Sequence, residues 1–177
     1  MDDFKTRYNY IVFGLRFLFL LFFAGLFFGF LFKVTPSLWT GNQINWKAAI
    51  GLVAYLFISF WAVFHFGKVL LTERNIIIIQ NGQLYLKDAL TSKVVFVDKA
   101  TLKGFSTSVY RTKINDFRTI IFYFNNGDKA EFKQFMYWNF KYIKPKLIEL
   151  GISYLGHEPS RWKGFDGRHY LYDKNSS

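Results

Sequence analysis

The chain has 177 residues, of which 51% are apolar and 22% aromatic, with a formal net charge of +11. It contains no cysteine, which excludes disulfides, a thiolate nucleophile and Cys-ligated zinc. The charge is uneven: 18 of the 23 Lys and Arg lie between Lys68 and Lys174, against 10 Asp and Glu. That excess suits anionic lipid headgroups or acidic proteins, and with no aromatic RNA-binding signature beside it no nucleic-acid partner is expected.

Residues 1–71 read as a two-helix transmembrane anchor. Two apolar runs, Ile11 to Phe32 and Ala48 to Gly67, are each about 20 residues long. At ~1.5 Å rise per residue either matches a hydrocarbon core of ~30 Å. The second run carries no Asp, Glu, Lys or Arg, and His65 near its end is its sole ionisable group. The first contains Arg16, whose alkyl stem can carry the guanidinium back to the headgroups. A second span close behind the first, with no small-residue cleavage site between them, argues against a removable signal peptide. The connection from Val34 to Trp46 holds Pro36, Ser37, Gly41 and Asn42 and no charge. Lys5, Arg7, Lys68, Arg74 and Lys87 flank the outer ends of the hairpin, whereas Lys33 and Lys47 border the loop. By the positive-inside rule both termini are expected in the cytoplasm, with Tyr8, Tyr10, Trp39 and Trp46 at interfacial depth. Gly25 and Gly29 form a Gly-xxx-Gly pair through which the first span could meet another helix, from a membrane protein partner or a second copy.

Beyond the anchor, residues 72–156 alternate as strands do. Ile76 to Gln80 and Gln83 to Leu86 flank Asn81-Gly82, the sequence signature of a hairpin with a type I′ turn. Ile120 to Phe124 leads through Asn125-Asn126-Gly127-Asp128 into Lys129 to Lys133, where Ala130 and Phe132 face one side and three charges a solvated other side. Val94 to Val97 and Phe105 to Tyr110 supply further strands. Phe140, Ile143, Leu147 and Leu150 recur at helical spacing up to Gly151, predicting a closing helix over about 137–150 that Pro145 kinks or delays. Residues 157–177 are expected to be an irregular tail, with Tyr170 and Tyr172 packed back on the sheet. The fold class is therefore α+β with a membrane segment.

Two spans, then antiparallel strands, then one helix resembles the bacterial membrane proteins that carry a pleckstrin-homology-like domain. The resemblance covers roughly Thr72 to Gly156 and rests on Lys103-Gly104-Phe105 entering a strand, the Asn126-Gly127 hairpin, and the Phe140 to Gly151 helix with Ile152 beyond it. It implies a curled antiparallel sheet closed by the C-terminal helix, in the bacterial inner membrane, serving as an interaction module. Phosphoinositide-binding relatives usually carry a basic cluster in the first hairpin; here that hairpin holds Lys87 alone.

No set of residues specifies a reaction, a metal site or a cofactor, and a non-enzymatic role is expected. His157-Glu158 and Arg168-His169 read as exposed tail pairs. The segment Arg111, Lys113, Phe117 and Arg118 is the candidate contact surface: three cations for anionic lipid headgroups and an aromatic ring for insertion at headgroup level. Lys141, Lys144 and Lys146 read as a solvated helix face. The expected role is a basic domain presented at the cytoplasmic membrane surface to lipids or a protein. The alternative is a small structural or accessory subunit of a larger membrane complex.

Overall fold

The computed structural model describes residues 3–34, 46–111, 115–159, 161–162 and 168–172, so the loop expected between the two spans lies outside the described residues. The chain divides into two compact units, one Ile11–Leu71 and the other Met1–Tyr10 together with Thr72–Ser177.

The first unit is built from α1 (Tyr10–Val34) and α2 (Trp46–Thr72). Each holds a stretch long and apolar enough to cross a membrane, 23 residues over Tyr10–Phe32 and 24 over Ala49–Thr72. The helices run antiparallel, because Phe19 and Phe23 stack on Phe66 while Phe30 meets Tyr55. On α2, Leu52, Ser59 and Ala62 are buried at three- and four-residue multiples, and the two small side chains let the backbones approach. Phe22, Phe28, Phe57 and Phe64 instead face outward, giving an exposed apolar surface of the kind that marks protein or membrane contact. His65 stacks on Trp61 one turn earlier, at 5.4 Å between ring centroids.

The second unit holds two four-stranded sheets. The first sheet has the order β1-β2-β3-β4, all antiparallel, from β1 (Phe4–Lys5), β2 (Asn75–Gln80), β3 (Gln83–Asp88) and β4 (Val94–Val97). Asn81 and Gly82 both have positive φ, 51° and 71°, and Gln80 pairs with Gln83, as the predicted tight turn requires. The next turn is held by Asp88, whose Oδ1 accepts from the Leu90 and Thr91 amides at 2.9 Å while Oδ2 pairs with Arg74 Nε at 2.7 Å. Partial burial pushes the Asp88 pKa up, but those amides and Arg74 outweigh it and hold the carboxyl below its ordinary value.

Residues ahead of α1 belong to this unit rather than to the helices. Thr6 exchanges hydrogen bonds with the backbone of Ile77, the Asn9 amide donates to the Met136 carbonyl at 2.8 Å, and the Trp138 amide donates to Arg7 at 2.9 Å. Tyr8, expected at the lipid interface, is instead buried: its hydroxyl donates to the Glu73 carbonyl at 2.8 Å and its ring packs edge-on against Tyr137. Burial, with Tyr8 and Glu73 as neighbours, raises the Tyr137 pKa well above the usual tyrosine value, so its hydroxyl is a permanent donor, here to the Asn75 carbonyl.

The second sheet has the order β7-β6-β5-β8, with β5 (Leu102–Arg111), β6 (Asp116–Phe124), β7 (Lys129–Lys133) and β8 (Tyr154–Glu158). The strands do not join into a closed barrel, and β8 pairs with β5 in parallel, unlike the wholly antiparallel sheet expected. The parallel pair is possible because α3 (Ile143–Glu149) returns the chain to the start of β5. This helix is shorter than the predicted 137–150. Residues 134–136 and 140–142 form separate 3₁₀ turns, and Pro145 sits in the first turn of α3, where no intrahelical N–H is needed. The Gly151 amide bonds the Ile148 carbonyl and the Ile152 amide the Leu147 carbonyl, closing the predicted C-terminal cap. Ile143 and Leu147 are fully buried, each contributing about 1.5–3 kcal/mol. Past Gly156, where an irregular tail is expected, β8 continues to Glu158, and β9 (Arg161–Trp162) pairs with β10 (Arg168–His169).

Candidate functional site

Strand register divides the second sheet into two faces with opposite character. Ser106, Ser108, Thr119 and Tyr123 lie on one, in register with Glu131 and Lys133 of β7 and Gly156 and Glu158 of β8. Phe105, Thr107, Val109, Arg118, Ile120 and Phe122 lie on the other, with Phe132 and His157.

The first face is closed. Glu158, expected in an exposed tail, is fully buried, and its carboxylate accepts from the Ser106 hydroxyl, the Tyr123 hydroxyl at 2.7 Å and the Leu171 amide at 2.8 Å. Its backbone carbonyl accepts from Ser108 at 2.7 Å. The burial has a tertiary cause: β8 is an edge strand of the sheet, and residues 170–172 cross this face as a strap. Tyr170 and Tyr172 meet the Tyr123 ring edge-on, as predicted, and the Tyr170 hydroxyl reaches Glu131 at 3.0 Å. Gly156, at φ +119°, lies beneath Tyr172, where a Cβ would come within 2.7 Å of the hydroxyl. Nor is the charged side of β7 solvated, because Lys133 is paired with the buried Glu73. Thr119 is the exception on this face, since its buried Oγ1 has no hydrogen-bond partner among the described residues.

The second face is only partly covered by α3, and a cavity of about 750 Å³ opens beside the helix. Buried Ile120 and Phe140 and half-buried Val109 form its base, and Pro145 and Ile148 its helical side. Four basic side chains, Arg118, Lys141, Lys144 and His157, also line it. Arg118, Lys141 and Lys144 make no ion pair among the described residues. The two lysines lie over aromatic rings instead, Lys144 Nζ at 3.9 Å from the centre of Tyr154 and Lys141 Nζ at 4.9 Å from that of Tyr142. The single acid in the lining, Glu149, is already paired with Lys146 at 2.8 Å. The groove therefore combines an apolar base with uncompensated positive charge.

The four residues expected to form a contact surface fall as follows. Arg111 ends β5, opposite Asp116, and Lys113 lies outside the described residues. Phe117 is half-buried against Phe135, ring centres 5.1 Å apart. Arg118 lines the groove together with Lys141 and Lys144, two of the lysines that read as a solvated face. The spacing of Lys141, Lys144 and Ile148 carried the signal, because it traces a helical stripe beside the buried Phe140, Ile143 and Leu147. His157 and Thr107, whose Nδ1 and Oγ1 are 3.4 Å apart, had none. Among the described residues no group of three acidic or histidine side chains is disposed to hold a metal ion. No family model matches the chain, and no curated protein matches it in sequence.

Proposed function

We propose that the chain is a non-enzymatic protein of the bacterial inner membrane, anchored by two spans with both termini in the cytoplasm. It presents a pleckstrin-homology-like β unit that engages anionic lipid headgroups at the membrane surface. The observation that carries this reading is the convergence of Arg118, Lys141 and Lys144, none of them ion-paired among the described residues, around one groove. Each such cation near an anionic surface is worth about 1 kcal/mol. Short connections add weight, since only Glu73 and Arg74 separate α2 from β2. The topology follows from the excess of flanking Lys and Arg outside the hairpin.

The test uses the full chain in nanodiscs, comparing neutral phosphatidylcholine with a mixture containing phosphatidylglycerol. Amide hydrogen exchange over residues 140–149 should slow in the anionic discs and recover at high salt. Equal exchange in both, or a reporter fused after Ser177 that is active only in the periplasm, would overturn the reading. A second reading, an accessory subunit or self-associating protein, is favoured by Gly25 and Gly29. A Cβ at either would meet nothing within 4 Å, so α2 does not occupy that face of α1. Native mass spectrometry from mild detergent would then show a stoichiometric protein partner or dimer, which the first reading does not require.

A further inference from the structure

We infer that the groove seats one acyl chain of an anionic phospholipid, with the phosphate held by Arg118, Lys141 and Lys144. The inference rests on the lipid-surface reading above and extends it from adsorption at the surface to occupancy by a single lipid molecule.

A headgroup alone would leave most of the cavity unexplained. At about 750 Å³ it falls within the roughly 300–1,000 Å³ of small-molecule sites, and its base is made by Val109, Ile120 and Phe140. Water in such a space would find few partners. A chain with an anionic end satisfies both halves of the lining, its methylenes against the base and its phosphate among the cations, whose lone neighbouring acid is neutralised by Lys146. Thr107, with His157 at 3.4 Å, supplies further polar contacts to the headgroup region.

The strand order separates a lipid from an acidic peptide. The base is carried by β5 and β6, both interior strands of the order β7-β6-β5-β8, so their backbone hydrogen bonds go largely to neighbouring strands. An extended peptide lying there would bury its own N–H and C=O groups against side chains without partners, at a cost an alkyl chain does not incur.

The experiment places in nanodiscs a small fraction of phosphatidylglycerol bearing a diazirine near the end of one acyl chain, with the same labelled chain on phosphatidylcholine as comparison. After irradiation of the full-length protein, cross-linked peptides are identified by mass spectrometry. The expected result is labelling of peptides containing Val109, Ile120 and Ile148, at least fivefold stronger from the anionic lipid. R118A/K144A should reduce it to the phosphatidylcholine level. Val109→Trp, which fills the base, and Ile148→Gln, at an exposed position that leaves folding intact, should each weaken labelling while the headgroup-dependent slowing of exchange over 140–149 persists. Labelling confined to α1 and α2 with that slowing intact would overturn the acyl-chain site and leave the lipid-surface reading standing. Loss of the slowing as well would remove both. Protection of the groove by a poly-glutamate peptide, without lipid cross-links, would overturn the inference in favour of a protein ligand.

Discussion

The two faces of the β7-β6-β5-β8 sheet use polar side chains for opposite purposes. Under the strap, Glu158 has three donors on one carboxylate and Lys133 has Glu73, so charge is consumed internally. Beside α3, Arg118, Lys141 and Lys144 hold their charge over apolar and aromatic surface and make no ion pair among the described residues, the nearby Glu149 being paired with Lys146. Buried and satisfied groups specify a structure, whereas uncompensated charge at the edge of a cavity is available to a ligand. Residue type alone would not have separated them, since each face sets a basic side chain near hydroxyl groups, Lys133 with Ser106, Ser108 and Thr119 on one and Arg118 with Thr107 on the other.

Replacing Glu158 by Ala should have the largest effect. Two buried hydroxyls and the part-buried Leu171 amide lose their acceptor, and the unfolding midpoint of the full chain in detergent should report a loss of about 3 kcal/mol or more. A change below about 0.5 kcal/mol would mean the closed face is not structural. The triple variant R118A/K141A/K144A should do the reverse. Stability stays within about 0.5 kcal/mol, as for surface substitutions, while the affinity for anionic lipid, read as the salt-dependent slowing of exchange, falls by about 1 kcal/mol per cation. Gly156→Ala lies between, at about 1–2 kcal/mol, because a Cβ there is strained at φ +119° and displaces Tyr172. Limited proteolysis should then release the strap.

The smallest effect is expected at Asp88, which belongs to neither face. Asp88→Asn should cost about 1 kcal/mol at neutral pH by weakening the bonds to Leu90, Thr91 and Arg74. The folded pKa is lowered from 3.8, so this stabilisation is complete above the unfolded value and is lost as pH falls through the folded one. Wild type and variant should therefore converge in acid thermal melts below that range; a gap that persists there would assign the loss to packing.

Local signals were legible in the sequence and long-range ones were not. Asn81-Gly82, the Asn126-Gly127 hairpin and the Gly151 cap each depend on neighbouring residues, and each is found where the pattern placed it. The two long apolar helices were equally plain. Nothing in the alternation, however, could reveal that residues 4–9 return to β2 and to the 134–138 turns, because those hydrogen bonds join positions at least 71 residues apart. Glu158 looked exposed because its partners, Ser106, Tyr123 and Leu171, are remote in sequence. The groove was half visible for the same reason: Arg118 and the Lys141–Lys144 pair stood out as separate basic groups, and only the packing of α3 beside β6 makes one site of them.

Lysine footprinting in nanodiscs tests the contrast most directly, since both faces report within one sample. The full chain is acetylated in neutral and in anionic discs and each lysine's rate is read by mass spectrometry, with exposed Lys93 on the β3–β4 connection as the internal standard. Lys141 and Lys144 should react several-fold more slowly in the anionic discs and recover at high salt, while Lys133, paired with Glu73, reacts slowly in both. Equal rates for Lys141 and Lys144 in the two lipids, relative to Lys93, would show that the open face does not bind the membrane surface.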